Sequence, residues 1–186
     1  MGGDALLMVW GKRLGVFADS GFETLSQLPE AGMQVKTVNG RQVYLYGGGS
    51  GSLYVYDISR GLVHLMRAPE PIGAVSGNGT LTFLAMKEEV YLFSPGKPLS
   101  LVYRASEKIT SLAMVPPSGL FYSTKKRVGY IYDKARGYSF LKGKGAELLT
   151  RKSDLYLFFR DEGVMKVGPV SAFGLFAKEV ETANSN

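Results

Sequence analysis

The stretch YLYGGGSGSLYVYDISRG, residues 44–61, decides the fold. Its centre, GGGSGS, looks like a flexible linker or a phosphate-binding loop. A phosphate-binding loop would end in Lys-Ser or Lys-Thr and open a helix, and neither follows here. Apolar and aromatic residues of the kind that strands favour flank the glycines on both sides. The stretch therefore predicts two strands joined by a loose hairpin loop.

The second half of this stretch recurs along the chain. LYVYDISRGLVHL at 53–65 matches GYIYDKARGYSFL at 129–141, and three further copies follow the same pattern. Equivalent positions are spaced by 39, 37, 39 and 35 residues. These positions are Phe17, Tyr56, Phe93, Tyr132 and Val167. Five copies at nearly equal spacing indicate a repeat architecture.

Each copy contains four short apolar runs separated by turns, except the first, which lacks its inner run. Four strands in a repeat of about 40 residues are typical of a propeller blade. We therefore predict an all-β protein: a β-propeller of about five four-stranded blades, with an incomplete or imperfectly closed ring as the open alternative. One domain is predicted at 1–177, followed by a polar tail at 178–186. Its copies lie near 5–28, 33–67, 72–104, 109–142 and 146–177.

The middle strands of the copies are apolar at nearly every position, as in VYLYG at 43–47 and LYLFF at 155–159. Such strands are covered on both faces, which blades obtain by packing on their neighbours. Trp10 ends one of these strands, so we expect it to pack between blades. The last strands, such as FETLSQL at 22–28, are more polar, as outer edges should be.

The composition excludes several kinds of site. The 186 residues include no cysteine, which excludes disulfides and thiolate chemistry, and the single His64 excludes a histidine-cluster metal site. No apolar run approaches the length of a membrane span. The start, MGGDALLMVW, lacks the basic flank and long apolar core of a signal peptide, and the compartment stays open. A net charge of +6 permits an acidic partner without requiring one.

Two copies resemble the blades of known propeller families. YVYDISRG and YIYDKARG are similar to the third-strand ending of WD repeats, with Tyr56-Asp57 and Tyr132-Asp133 in the place of Trp-Asp. The segment 107–132 resembles NHL-type and lactonase-type blades. The Gly-His dipeptide of WD repeats is missing from every copy, so the resemblance implies the superfold and no specific family. Asp57 and Asp133 are expected to accept backbone hydrogen bonds in the turns that follow them.

In the predicted fold, the turns between second and third strands share a face with the loops that join blades. Basic residues concentrate there in copies one, four and five. These residues are Lys12, Arg13, Lys125, Lys126, Arg127, Lys142, Lys144 and Arg160. A closed ring would join them into one arc that binds an acidic protein or another polyanion. The alternative is that charged turns keep a strand-rich protein in solution. No aromatic residue is interleaved among these lysines, which argues against nucleic acid.

Three carboxylates precede inner strands at equivalent places: Glu30, Glu70 and Glu107. They are predicted to ring the mouth of the central channel. The lactonase-type resemblance implies that a divalent cation binds there through acidic and Asn side chains. In this chain the fourth such place holds Lys144, and no Asn falls at a channel-mouth position. We therefore predict neither a metal nor another cofactor at this site.

Two functions follow from these patterns. The first is a non-enzymatic binding or scaffolding module that presents loops from a rigid propeller, with another protein or an acidic ligand as partner. An oligomer or a ring completed by a partner is compatible with it. The alternative is a lactonase-like metal-dependent hydrolase acting at the channel mouth. No catalytic residue is assigned.

Overall fold

The computed structural model describes residues 6–18, 20–38, 42–47, 49–77, 81–115, 119–133, 136–151 and 154–167. Regular structure in these ranges consists of β-strands, because turn residues interrupt the apolar runs every five to seven positions. Within the same ranges, no helix has the length and apolar character needed to cross a membrane.

The strands form five antiparallel sheets, each built from consecutive strands of the chain. The first sheet contains β1 (Leu6–Trp10), β2 (Arg13–Ala18) and β3 (Gly21–Gln27). The second contains β4 (Met33–Val38), β5 (Gln42–Gly47), β6 (Ser52–Asp57) and β7 (Gly61–Arg67). The third contains β8 (Ala74–Gly77), β9 (Thr82–Met86), β10 (Glu89–Phe93) and β11 (Ser100–Arg104). The fourth contains β12 (Ile109–Val115), β13 (Gly119–Thr124), β14 (Arg127–Asp133) and β15 (Arg136–Lys142). The fifth contains β16 (Glu147–Arg151), β17 (Asp154–Phe159) and β18 (Gly163–Val167).

These sheets confirm the predicted five-bladed β-propeller fold. The first sheet has three strands, as expected for a copy without an inner run. The predicted fourth strand of the last copy, at 172–177, and the tail at 178–186 lie outside the described residues. The chain contains two compact units, Met1–Ile72 with the first two sheets and Gly73–Asn186 with the other three. The single domain over 1–177 stays a prediction.

The glycine-rich stretch is a hairpin loop between β5 and β6, as predicted. Gly47, Gly49 and Gly51 have φ angles of 91°, 92° and 73°, a region that residues with a side chain rarely enter. The loop is also packed closely. A Cβ on Gly51 would stand 2.7 Å from the carbonyl oxygen of Ala68, and the Gly51 carbonyl accepts the Ala68 N–H at 2.9 Å. These glycines are required by the backbone and not by a bound phosphate.

Each unit buries apolar residues between successive sheets. In the first unit, Leu14 of the first sheet packs with Met33 and Leu45 of the second. In the second unit, serine hydroxyls join the sheets as well. Ser76 accepts the Met114 N–H at 2.7 Å, and Ser111 accepts the Leu148 N–H at 3.0 Å. Both serines are buried, so these bonds hold each sheet in register with the next.

The expectation that Trp10 packs between blades is wrong. Its side chain is 60% exposed, and its ring contacts Phe22 edge-on at a centroid distance of 6.0 Å. Trp10 lies on the face of the first sheet opposite Val9, and Val9 packs toward the second sheet.

Two tyrosines of the second unit lie over glycines. The Tyr122 ring lies over Gly129, its register partner on the neighbouring strand. The Tyr103 ring of the third sheet lies over Gly137 of the fourth. The two hydroxyls are 3.0 Å apart. A Cβ on Gly129 would stand 2.5 Å from the Tyr122 ring, and one on Gly137 would stand 2.7 Å from the Tyr103 ring. These glycines therefore make room for the aromatic rings between the third and fourth sheets.

We expect Gly129→Ala to lower the free energy of unfolding by about 1–3 kcal/mol, because the added methyl group overlaps a buried ring that cannot move away. Gly73→Ala is the matched control, since its Cβ would meet nothing closer than 3.5 Å. It should change stability by no more than about 0.5 kcal/mol. Urea unfolding measures both, and equal losses would contradict the packing of Tyr122 on Gly129.

Tyr103 should make stability sensitive to alkaline pH. Burial raises the pKa of Tyr103 above its ordinary value of 10.0, and the hydrogen bond to Tyr122 raises it further. The folded state thus holds this proton more tightly than the unfolded state does. Its contribution is complete below pH 10.0 and is lost as the pH rises toward the folded pKa. In urea unfolding, Tyr103→Phe should reduce the alkaline loss, whereas Tyr138→Phe, at an exposed site, should leave it unchanged.

Candidate functional site

Basic side chains gather at one end of the fourth sheet. The turn between β13 and β14 carries Lys125 and Lys126, and Arg127 opens β14. Lys142, the last residue of β15, is the register partner of Arg127. Lys144 follows two residues later, in the linker to the fifth sheet. We call these five residues the cationic rim. The structure thus brings together five of the eight basic residues that the sequence predicted as a site.

The backbone beneath the cationic rim is tied in place. The linker lies directly on the turn, because a Cβ on Gly145 would stand 1.7 Å from the Thr124 carbonyl oxygen. The Ala146 N–H donates to the buried Ser123 hydroxyl at 2.9 Å. Within the turn, the Lys126 N–H donates to the Thr124 hydroxyl at 3.2 Å. The lysine side chains extend from a fixed base.

Carboxylates neutralise two members of the cationic rim. The Arg127 guanidinium lies 3.9 Å from a Glu107 carboxylate oxygen. Lys144 forms an ion pair with Glu162, and its ammonium group lies 4.6 Å from the centre of the Phe159 ring. Lys125, Lys126 and Lys142 are exposed and form no ion pair with any described residue. These three lysines carry the free positive charge of the rim.

Arg160 is joined to the cationic rim only indirectly. It is exposed in the turn between β17 and β18, and the same turn holds Glu162, the partner of Lys144. Asp161 is exposed beside it. Two carboxylates in three residues balance the arginine, so this turn adds little positive potential. The free charge is concentrated on the fourth sheet.

Lys12 and Arg13 belong to the first unit. Lys12 is exposed in the turn between β1 and β2, where its carbonyl accepts the Leu28 N–H at 2.8 Å. The Arg13 guanidinium lies 5.6 Å from the centre of the Phe22 ring, in a cation–π contact. That these two residues share an arc with the cationic rim stays a prediction.

The predicted channel-mouth carboxylates Glu30 and Glu107 accept hydrogen bonds from nearby hydroxyls. Glu107 accepts a bond from the Thr124 hydroxyl at 3.0 Å, and Glu30 accepts one from the Ser50 hydroxyl. Glu70 is half-buried in the linker after β7. No three acidic or histidine side chains of the described residues cluster as a metal site would require. The place of the three glutamates at a channel mouth stays a prediction.

This role of Glu30 and Glu107 was not predicted from the sequence. Each glutamate stands in a linker and accepts from a hydroxyl at the next hairpin turn, 20 residues on for Ser50 and 17 residues on for Thr124. The recurrence of a linker Glu followed at that distance by Ser or Thr was the available signal. Such bonds fix the linker against the following hairpin, which is a structural task.

The prediction for Asp57 is confirmed. Its carboxylate accepts from the Ser59 hydroxyl at 2.5 Å, from the Ser59 N–H at 2.8 Å and from the Arg60 N–H at 3.0 Å. These bonds, with the Ser59 hydroxyl foremost, hold the pKa of Asp57 below its ordinary value. The side chain of Asp133 lies outside the described residues. His64 is exposed on β7, with its ring edge-on to Tyr54 at 5.0 Å.

Three solved structures are similar in fold. The streptogramin B lyase structure matches with a TM-score of 0.60 and 7% identity, over 84% of this chain and 62% of that chain. This chain therefore spans less than two thirds of that protein. The computationally designed Ika8 protein matches with a TM-score of 0.55 and 15% identity, over 84% and 52% of the two chains. The computationally designed Ika4 protein matches with a TM-score of 0.50 and 15% identity, over 78% and 97%.

Identities this low show the fold alone. No family model matches the sequence, and a search of curated proteins finds no match. The function must therefore be argued from the chain's own residues.

Glu107→Ala should lower the free energy of unfolding by about 1–2 kcal/mol, because the fully buried Thr124 hydroxyl loses its acceptor and the Arg127 guanidinium loses its ion-pair partner. Glu88→Ala removes an exposed carboxylate from the neighbouring turn and should change stability by no more than about 0.5 kcal/mol. Urea denaturation compares them. If both variants lost equally little, the structural role of Glu107 would be rejected.

Proposed function

We propose that this protein is a binding or scaffolding module that holds an acidic protein segment on its cationic rim. One observation carries the proposal: Lys125, Lys126 and Lys142 are exposed, without ion pairs among the described residues, at one end of a sheet whose backbone is fixed. Recognition residues on the loops of a rigid scaffold are a common arrangement in binding proteins.

The kind of cation indicates the kind of partner. Lysine ammonium groups are mobile point charges, whereas a planar guanidinium can grip one carboxylate with two bonds. The guanidinium of the rim, on Arg127, already faces Glu107. Three lysines favour a partner with several negative charges and little geometric demand. An acidic stretch of polypeptide meets that description, and its attraction should be screened over about 10 Å at 0.1 M salt.

A β-propeller fold is compatible with binding modules and with enzymes. The hydrogen bonds to Glu30 and Glu107 support the binding module, because they engage two of the carboxylates on which the metal-dependent hydrolase would depend. The similarity to streptogramin B lyase concerns the fold alone and does not support the metal-dependent hydrolase.

The test removes two positive charges from the cationic rim. Lys125→Gln/Lys126→Gln should weaken binding of a labelled oligoglutamate peptide at least about fivefold, because those charges attract the peptide directly. The variant should also show a shallower loss of affinity between about 50 and 200 mM salt, since fewer ions are displaced on binding. Fluorescence anisotropy measures both quantities.

Lys97→Gln/Arg151→Gln is the matched control. It removes the same charge from two exposed sites at the opposite strand ends of the third and fifth sheets. Affinity and salt dependence should stay within about twofold of the unmodified protein, because distant exposed charges are screened. Equal losses in the two variants would mean that net charge alone attracts the peptide, and the localised site would be rejected.

A further inference from the structure

The sheets pack on one another in a single repeated way. Within each unit, a sheet packs its downstream face on the upstream face of the sheet that follows, and these two faces lie on opposite sides of every sheet. In the fourth-to-fifth contact, the downstream face presents Ala113, Phe121 and Val128, and the upstream face presents Leu148, Leu155 and Leu157. The third-to-fourth and first-to-second contacts pair the same two kinds of face. In these contacts, an upstream face is covered by a downstream face.

The upstream face of the first sheet is exposed. Leu6 and Phe17 are register partners there, as Leu120 and Ile131 are in the fourth sheet. Leu6 is 63% exposed, against 3% for Leu120. Phe17 is 50% exposed, against 5% for Ile131. Trp10 extends the same face. These residues are apolar, like those of a buried face, but their side chains are exposed.

The downstream face of the fifth sheet is exposed as well. Phe158 and Val164 are register partners there, as Ser123 and Val128 are in the fourth sheet. Val164 is 60% exposed, whereas Val128 is fully buried at 0%. Leu149, on the same face, is also exposed. Among the described residues, the upstream face of the first sheet and the downstream face of the fifth sheet therefore both carry exposed apolar side chains, and the two faces are of complementary kinds.

We propose that two copies of this chain associate head to tail, with the first sheet of one copy packing its upstream face on the downstream face of the other copy's fifth sheet. Exposed clusters of apolar and aromatic side chains are typical of interaction sites. Both faces are exposed within one chain, so a second copy supplies the missing partner. The pairing repeats the contact that already joins successive sheets.

Two variants remove one face each. The first-face variant is Trp10→Thr/Phe17→Glu, and the last-face variant is Phe158→Thr/Val164→Glu. Threonine keeps strand propensity, and glutamate opposes burial. In sedimentation velocity, the unmodified chain should form a dimer or longer assembly as concentration rises. Each variant alone should raise the dissociation constant about tenfold or more, because aromatic anchors dominate such contacts.

Mixing the two variants tests the head-to-tail arrangement. The sequence has a single tryptophan, and only the last-face variant keeps it. Alone, that variant should emit as an exposed tryptophan at concentrations where the unmodified chain already associates. Addition of the first-face variant should shift the emission to shorter wavelength and produce a heterodimer, because its intact fifth sheet covers Trp10. This result is expected only if unlike faces pair.

Ile58→Thr/Leu101→Glu is the matched control, with the same changes at exposed apolar sites outside both faces. It should associate as the unmodified chain does, and circular dichroism confirms that each variant is folded. An unmodified chain that stays monomeric, with constant tryptophan emission at all concentrations, overturns the proposal even if a variant fails to fold. So does a last-face variant that still self-associates fully, since like faces would then be pairing.

Discussion

A sheet with two apolar faces must have both of them covered, and the rest of this structure depends on that constraint. The sheets contain three or four strands each, too few to form a closed core alone. Burial comes from stacking, which places Leu14 against Met33 in the first unit and Phe121 against Leu155 in the second. The constraint also makes the ends of the described repeat exceptional, because the first and last sheets each carry exposed apolar residues on one face.

The same stacking positions the candidate binding surface. Linkers must cross from one sheet to the next, and they do so beside the turns that carry the lysines. The Ser123 hydroxyl and the close approach of Gly145 hold the linker after the fourth sheet against its turn. Glu107 fixes the linker that precedes the fourth sheet. The lysines of the cationic rim therefore extend from backbone that is held in place by contacts needed for folding. Binding and folding share these residues without competing for them, because the exposed lysines make none of the buried contacts.

The sequence was sufficient for the fold because the repeat is periodic. Spacing located the sheets, and the inner strands β4 and β12 begin at the predicted Met33 and Ile109. The turn that carries Lys125 and Lys126 also follows from the repeat, since turn positions follow from strand positions, and its role as a binding site stays a prediction. Trp10 was misjudged because apolar character does not reveal whether a neighbour is present. Glu30 and Glu107 were predicted only as channel-mouth carboxylates. Their hydroxyl partners could not be predicted, because these stand 20 and 17 residues away on the next hairpin. Pairings of that kind follow from packing and not from local pattern.

The buried serines between sheets have a consequence for unwanted strand addition. β12 and β16 are edge strands, and the N–H groups of an edge strand are the usual place where a foreign strand attaches. Met114 on β12 and Leu148 on β16 instead donate those groups to Ser76 and Ser111 of the preceding sheets. An incoming strand would have to break these internal bonds before it could form its own. The third and fourth sheets thus protect the inner margins of the sheets that follow them from amyloid-like extension, without the lysine or proline that proteins more often place there.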